Sequence, residues 1–301
     1  MSWEFERVAG PFQGPANGVV WDGTAVIFSL MEEMRLMRLD PRSGVVSELR
    51  KYTNRVNGLG FGPNGELYGC QEGGRRLVEF SPDGRLFAVD ALLDGKYHNH
   101  PSDLIGDSRG RIWFADPHSP VLAFGPQIFP ALDHASVLRL EKNDRRAWIM
   151  KRVTYDTTAP RAVLLSADEQ TLYVAEGEPR DGRLRELRAY PIREDASVGS
   201  YTVLHTFGAD HRGPHRGLEG LALDSSGNIV ACGGWRKSGR GPLIYVFSPQ
   251  GMLETHMFPG DLPNRCCFGG EALDDLYVTT AGGELYRAKT TRRGAQRKQQ
   301  A

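Results

Sequence analysis

Residues 57–84, NGLGFGPNGELYGCQEGGRRLVEFSPDG, decide how the whole chain folds. A short apolar run, GLGF, enters the turn GPNGE. An alternating strand, LYGCQ, comes back, and a third, LVEF, closes on the turn SPDG. Apolar alternation at period two, cut by Gly, Asn and Asp turns, is the pattern of consecutive β-hairpins. The same order recurs outward from here. It runs as NGVVWDGTAVIFSLMEEMRLMRLDPRSG from Asn17 and as SDLIGDSRGRIWFADPHS from Ser102, whose partner ASVLRLEKND follows a longer loop. It continues as RAVLLSADEQTLYVAEGEP from Arg161, EGLALDSSGNIVACGGWRKSGRGPLIYVFSPQG from Glu219 and RCCFGGEALDDLYVTTAGGELYRAK from Arg265. The unit starts lie 40, 45, 59, 58 and 46 residues apart, the spacing of four-stranded propeller blades.

The sequence therefore predicts an all-β, six-bladed β-propeller with four-stranded antiparallel blades and no long helix. Residues 1–290 form one domain, and 291–301 form a flexible basic tail. A β-sandwich is the rival architecture, but a sandwich does not repeat one turn-strand unit six times. The N-terminal strand, residues 3–8, is expected beside residues 285–288, completing the last blade and hiding two sheet edges. Inserted loops fall near residues 123–133 and 180–185.

Composition narrows the function. Lys plus Arg is 37 and Asp plus Glu is 37, so the net charge is zero. That argues against nucleic-acid and membrane-surface partners, which call for a basic excess. MSWEFERVAG lacks a basic stretch leading into an apolar one, so no secretory leader is expected. Cys70, Cys232, Cys266 and Cys267 make no CxxC pair, which suits reduced thiols and a cytoplasmic location.

In a propeller the first strand of each blade lines the axis, so its opening residue faces the other five. Asn17, Asn57, Ser102, Arg161, Glu219 and Arg265 hold those positions. A ring of polar groups converging on an axis needs partners or a ligand. Two arginines there suit an anionic small molecule such as a carboxylate or phosphate.

The repeats resemble the regucalcin/gluconolactonase family, which includes the luciferin-regenerating type. The resemblance rests on NGVVWDGTAVIFS, the whole of residues 57–84, HNHPSDLIGDSRGRIWFADP, SADEQTLYVAE, LEGLALDSSGNIVAC and LPNRCCFGGEALDDLYVT, and it spans residues 10–290. It implies a six-bladed propeller lactonase that binds calcium through a Glu on the first blade, an Asn on the third, an Asn on the fourth and an Asp on the fifth. The matching positions are Asn17, Ser102, Arg161 and Glu219. Glu219, Asn17 and Ser102 offer oxygen to a metal. Arg161 cannot ligate one, and Arg265 replaces a further Asn of the pattern. The sequence leaves open whether a metal binds.

On this resemblance the chain is read as a hydrolase of a lactone or related cyclic ester, with its site at the mouth of the central channel. Glu219 is ligand or general base. Asp103 is a neighbouring carboxylate, Arg161 and Arg265 hold the substrate anion or the oxyanion, and Asn57 and His118 complete substrate binding. His100, His134 and His215 are acid/base candidates. Two alternatives stay open. A His/Glu site for Zn, Mn or Fe would serve a different hydrolase, an isomerase or a lyase. A non-catalytic propeller would have lost the metal altogether. Glu72, Asp116 and Glu176, ending three second strands, are either an outer ring of the pocket or turn caps. The apolar loop 117–133 suits a lid or pocket wall. Oligomeric state is not legible.

Overall fold

The computed structural model describes residues 2–89, 91–119, 130–178 and 182–296. Six four-stranded antiparallel sheets follow one another along the chain. Their innermost strands are Ala16–Trp21, Val56–Phe61, Asp103–Gly106, Pro160–Leu165, Leu218–Leu223 and Pro263–Gly269. The molecule is a six-bladed β-propeller with regular elements that are all strands among the described residues. A two-rung hairpin, Ala209–Asp210 with Gly213–Pro214, decorates the approach to the fifth blade.

Burial explains why each strand reads as it does. The second strands Leu67–Gln71, Ile112–Asp116 and Ile229–Gly233 are buried throughout, because both of their faces meet a neighbouring blade. The outermost strands, such as Val46–Arg50 and Leu86–Val89, are largely solvated and carry polar or isolated apolar residues. The core is a ring rather than a centre. Six apolar clusters fill the six gaps between blades. Trp113 and Val137 of the third blade meet Val163 and Val174 of the fourth in one of them, and Tyr277 of the sixth meets Phe28 of the first in another.

The N-terminal strand closes the ring, though it begins later than the sequence pattern suggests. Phe5–Ala9 pairs with Leu285–Lys289, with Phe5 opposite Ala288 and Arg7 opposite Tyr286. Trp3 leaves the strand to stack on His256, ring centroids 3.9 Å apart, and its backbone N–H donates to His256 Nδ1. Part of the segment expected as a free tail is also docked. Arg292 forms ion pairs with Asp224 and Glu254, each at 2.7 Å, and the Ala295 N–H donates to the Leu223 carbonyl. This segment straps the sixth blade to the fifth. Residues 297–301 lie outside the described residues, as do most of loop 117–133 and the start of the 180–185 insertion. Among the described residues no helix is long and apolar enough to cross a membrane.

Glycine sets how closely the inner strands approach at the axis. A Cβ on Gly58 would lie 2.7 Å from the Ser102 carbonyl oxygen and 2.7 Å from Asp103 Cα. A Cβ on Gly220 would lie 2.4 Å from the Asn264 oxygen. Each of these glycines directly follows one of the residues expected at the axis, Asn57 and Glu219.

Candidate functional site at the propeller axis

The close approach gathers the opening residues of the inner strands, and Arg265 is the hub. Its guanidinium donates to the Ser102 and Arg161 carbonyls, both at 3.1 Å, and to the Glu219 carbonyl. Its Nε stands 3.4 Å from the Asp103 carboxylate. One buried side chain thus ties the inner strands of the third, fourth, fifth and sixth blades. Its terminal donors are turned to protein carbonyls, so Arg265 braces the inner strands.

Glu219 is half-buried beside this hub. Burial pushes its carboxyl up, but the charges of Arg161, Arg216 and Arg265 and the Arg216 hydrogen bond outweigh burial and hold it below the usual glutamate value. Arg216 Nε lies 3.5 Å from Glu219 Oε1. The rest of that buried guanidinium donates to the Gly234 and Pro263 carbonyls and to Asn264 Oδ1. Asn264 Nδ2 in turn donates to Asn17 Oδ1 at 2.9 Å. A buried chain of contacts therefore runs from Glu219 on the fifth blade through Arg216 and Asn264 to Asn17 on the first. Neither Arg216 nor Asn264 was among the expected residues. Arg216 stands three positions before Glu219 in HRGPHRGLEG, where the histidines drew attention, and Asn264 immediately precedes Arg265.

Arg161 behaves differently from the other two arginines. Its carbonyl is held by Arg265 and by Ser102 Oγ–H at 3.2 Å, but its guanidinium makes no hydrogen bond to the described residues, its buried Nε included. Asn57 is half-buried in the same ring, and its carbonyl accepts from Ser29 Oγ–H at 2.8 Å.

Asp103 belongs to a second space. Its Oδ2 accepts the Val163 N–H at 3.1 Å, and burial pushes its carboxyl up to about 6 against the Arg265 charge and backbone N–H bonds. It lines an axial cavity of about 750 Å³ that continues past Leu104, Leu164 and Phe268. Arg265 lines that cavity too, whereas Asn17, Asn57, Ser102, Arg161 and Glu219 do not.

The histidines do not assemble. His118 is exposed, and His134 Nδ1 lies 2.8 Å from Ser136 Oγ. His215 Nε2 lies 3.7 Å from Asp210 in the decorating hairpin, and the half-buried His100 donates its backbone N–H to the Pro117 carbonyl. Among the described residues no three His, Cys, Asp or Glu side chains are grouped to hold a metal. Glu176 caps a turn through the Thr158 and Ala159 N–H groups, and Glu72 lies 3.7 Å from Arg55.

Asp116 is fully buried, with Oδ2 accepting the Asn99 N–H at 2.7 Å. Burial pushes its carboxyl up to about 7, while the Asn99 and His100 N–H groups, Arg75 and Arg152 pull the other way. His98, buried against Phe114, is pushed down to about 3 by burial and Arg75. The linkage signs oppose. A carboxyl raised in the folded state loses stability as pH rises from its unfolded value of 3.8 to about 7. A lowered imidazole loses stability as pH falls from 6.5 to about 3. Asp116→Asn, which mimics the neutral acid, should therefore become more stable relative to wild type as pH rises from about 4 to 7. Urea unfolding across that range checks it; parallel curves for the two proteins would refute the raised Asp116.

A six-bladed propeller whose inner strands open on a polar ring around a single ionised glutamate defines the structural class. The chain belongs to the SMP-30/Gluconolactonase/LRE-like family, whose pattern matches residues 15–282. It is similar to a gluconolactonase of Zymomonas mobilis, 26% identical over 96% of this chain and 82% of that one. It is also similar to a 6-deoxy-6-sulfogluconolactonase of Pseudomonas putida, 27% identical over 82% of this chain and 76% of that one. The solved structure of a calcium-binding protein, regucalcin, from Agrobacterium tumefaciens superposes with a TM-score of 0.74 at 15% identity, covering 99% of this chain and 98% of that one. That last likeness is one of fold.

The residues present do not fit a divalent cation at the axial ring. Of the four positions that the family resemblance assigns to ligands, one carries a carboxylate, Glu219, and one carries a guanidinium, Arg161. Asn17 Oδ1 already receives Asn264, and Ser102 Oγ–H is turned to a carbonyl. Calcium sites are built from several anionic or neutral oxygens, and a resident cation among them opposes binding.

Proposed function

We propose that the chain is a lactonase-type hydrolase acting on a sugar-acid lactone or related cyclic ester at the axial mouth formed by Asn17, Asn57, Ser102, Arg161 and Glu219. The observation that carries this reading is the Glu219 carboxylate, kept ionised by arginines where the inner strands converge. The family and the activities named for its lactonase relatives support the reaction class.

Glu219 accepts a proton from a water as that water attacks the lactone carbonyl. The same proton then goes to the ring oxygen when the acyl C–O bond breaks. In this reading Asn57 holds a hydroxyl group of the substrate, and Asn17, already bonded to Asn264, supports the ring. Three guanidinium groups face Glu219, so a lactone bearing a negative group is favoured over a neutral one. Buried reduced thiols at Cys70, Cys232 and Cys266 suit a reducing compartment.

The product is a hydroxy acid that ionises, so turnover releases protons. Purified protein in weak buffer, offered five- and six-membered sugar lactones with and without a carboxylate, phosphate or sulfonate, should acidify the solution faster than spontaneous hydrolysis. The anionic members should show the higher kcat/KM. No turnover of any lactone would sink the enzyme reading in favour of a non-catalytic propeller.

A further inference from the structure

We propose that Arg161 stands in for the divalent cation of this family: its guanidinium, carried on the inner strand beside that of Glu219, polarises the lactone carbonyl and receives the oxyanion. This inference rests on the lactonase reading and concerns how the carbonyl is activated.

Three observations converge on it. The first is place. The backbone carbonyls of Arg161 and Glu219 are bound by the same Arg265 guanidinium, so the two residues open their strands at one point of the axis. The second is availability. Arg265 donates to carbonyls of three other strands, and Arg216 donates to two carbonyls and to Asn264. Arg161 makes no side-chain hydrogen bond to the described residues; its buried Nε lacks a hydrogen-bond partner, as the Arg265 Nε does, but Arg265 directs its other donors to the protein. A desolvated donor with no acceptor costs stability unless a ligand completes it. The third is charge. With one carboxylate against several guanidiniums, the ring already holds the positive charge that a bound cation supplies elsewhere.

The chemistry balances without a metal. The water oxygen bonds to the carbonyl carbon, and its proton passes to Glu219. The carbonyl π pair moves to oxygen, where Arg161 N–H groups hold the charge. The pair then returns, the ring C–O bond breaks, and Glu219 returns the proton to the leaving oxygen. Arg161 donates hydrogen bonds and exchanges no proton in the cycle, and nothing is oxidised or reduced. A donor to a developing oxyanion is worth about 10²–10³ in kcat.

The test uses the full-length protein after chelation and gel filtration. Wild type should keep its lactonase rate within about twofold in excess EDTA, against the loss of about 10²–10³ that removing the donor should cause. Calorimetric titration with calcium should show no stoichiometric binding. Arg161→Ala should lose about 10²-fold or more in kcat with KM changed far less, and added guanidinium should restore part of the rate. Arg161→Lys, which keeps the charge without the fork, should fall between. Far-UV circular dichroism confirms that the variants are folded. The proposal is overturned if calcium binds wild type stoichiometrically, if chelation abolishes activity and calcium restores it, or if Arg161→Ala keeps the wild-type kcat. Failure of wild type on every lactone would instead fall on the functional reading. The calcium titration needs no substrate and tests the inference separately.

Discussion

Glu219→Gln should cut kcat/KM for the best lactone by about 10²–10⁴-fold, the usual weight of a general base. Glutamine keeps the shape and leaves an oxygen for Arg216, which lies 3.5 Å away in the native protein. It removes the negative charge and the proton acceptor. The fold should survive, because the Glu219 backbone, which Arg265 binds, is untouched. The pH profile supplies an independent check. Burial raises the Glu219 carboxyl, but Arg161, Arg216 and Arg265 more than reverse that, so the acid limb should fall below the range of an ordinary glutamate. Activity should stay level down to about pH 5, where solvent-exposed carboxylates begin to protonate. Stability follows the same sign: a depressed carboxyl stabilises the folded state above its unfolded value, and this is lost as pH falls through the folded one. Wild-type rates in Glu219→Gln would remove Glu219 from the mechanism.

Gly220→Ala should destabilise the protein by about 3 kcal/mol, the upper end of ordinary overpacking. The new methyl would meet the Asn264 carbonyl at 2.4 Å and Arg265 Cα at 2.6 Å, both backbone atoms that cannot swing aside. Relief requires the fifth and sixth inner strands to separate, which pulls Arg265 from the Glu219 carbonyl and Arg216 from Asn264. Activity should therefore fall with stability. Gly208→Ala is the control. Nothing lies within 4 Å of a Cβ there, and its unfolding free energy should stay within about 0.5 kcal/mol of wild type. Equal stability for the two variants would show that the axis tolerates a wider spacing than the native one.

The blades were legible because each repeats its own local chemistry: GPNGE, DSRGR and DSSGN are turns whatever surrounds them. The ring of opening residues was legible too, since it follows from blade geometry alone. What each side chain does there was not. Arg161 and Arg265 look alike in sequence, one cation each at the head of an inner strand. Their difference lies in which way a long side chain turns and which carbonyls lie within reach, and that depends on strands more than 100 residues away, as in the contact of Arg265 with Ser102. Asn264 escaped notice for the same reason. Its partner Asn17 lies 247 residues off and becomes a neighbour only when the ring closes. Trp3 illustrates the limit at an element boundary: it extends the apolar pattern of the first strand, yet its better partner is the face of His256.

The Arg265 spoke has a consequence for traffic. By linking four inner strands across the axis, it braces the ring between the Glu219 carbonyl and the Asp103 carboxylate. The 750 Å³ chamber beneath, with Asp103 in its wall, exchanges its contents through the opposite face, where the docked C-terminal segment lines the opening. The guanidinium that braces the polar ring is thus also part of the wall of that chamber.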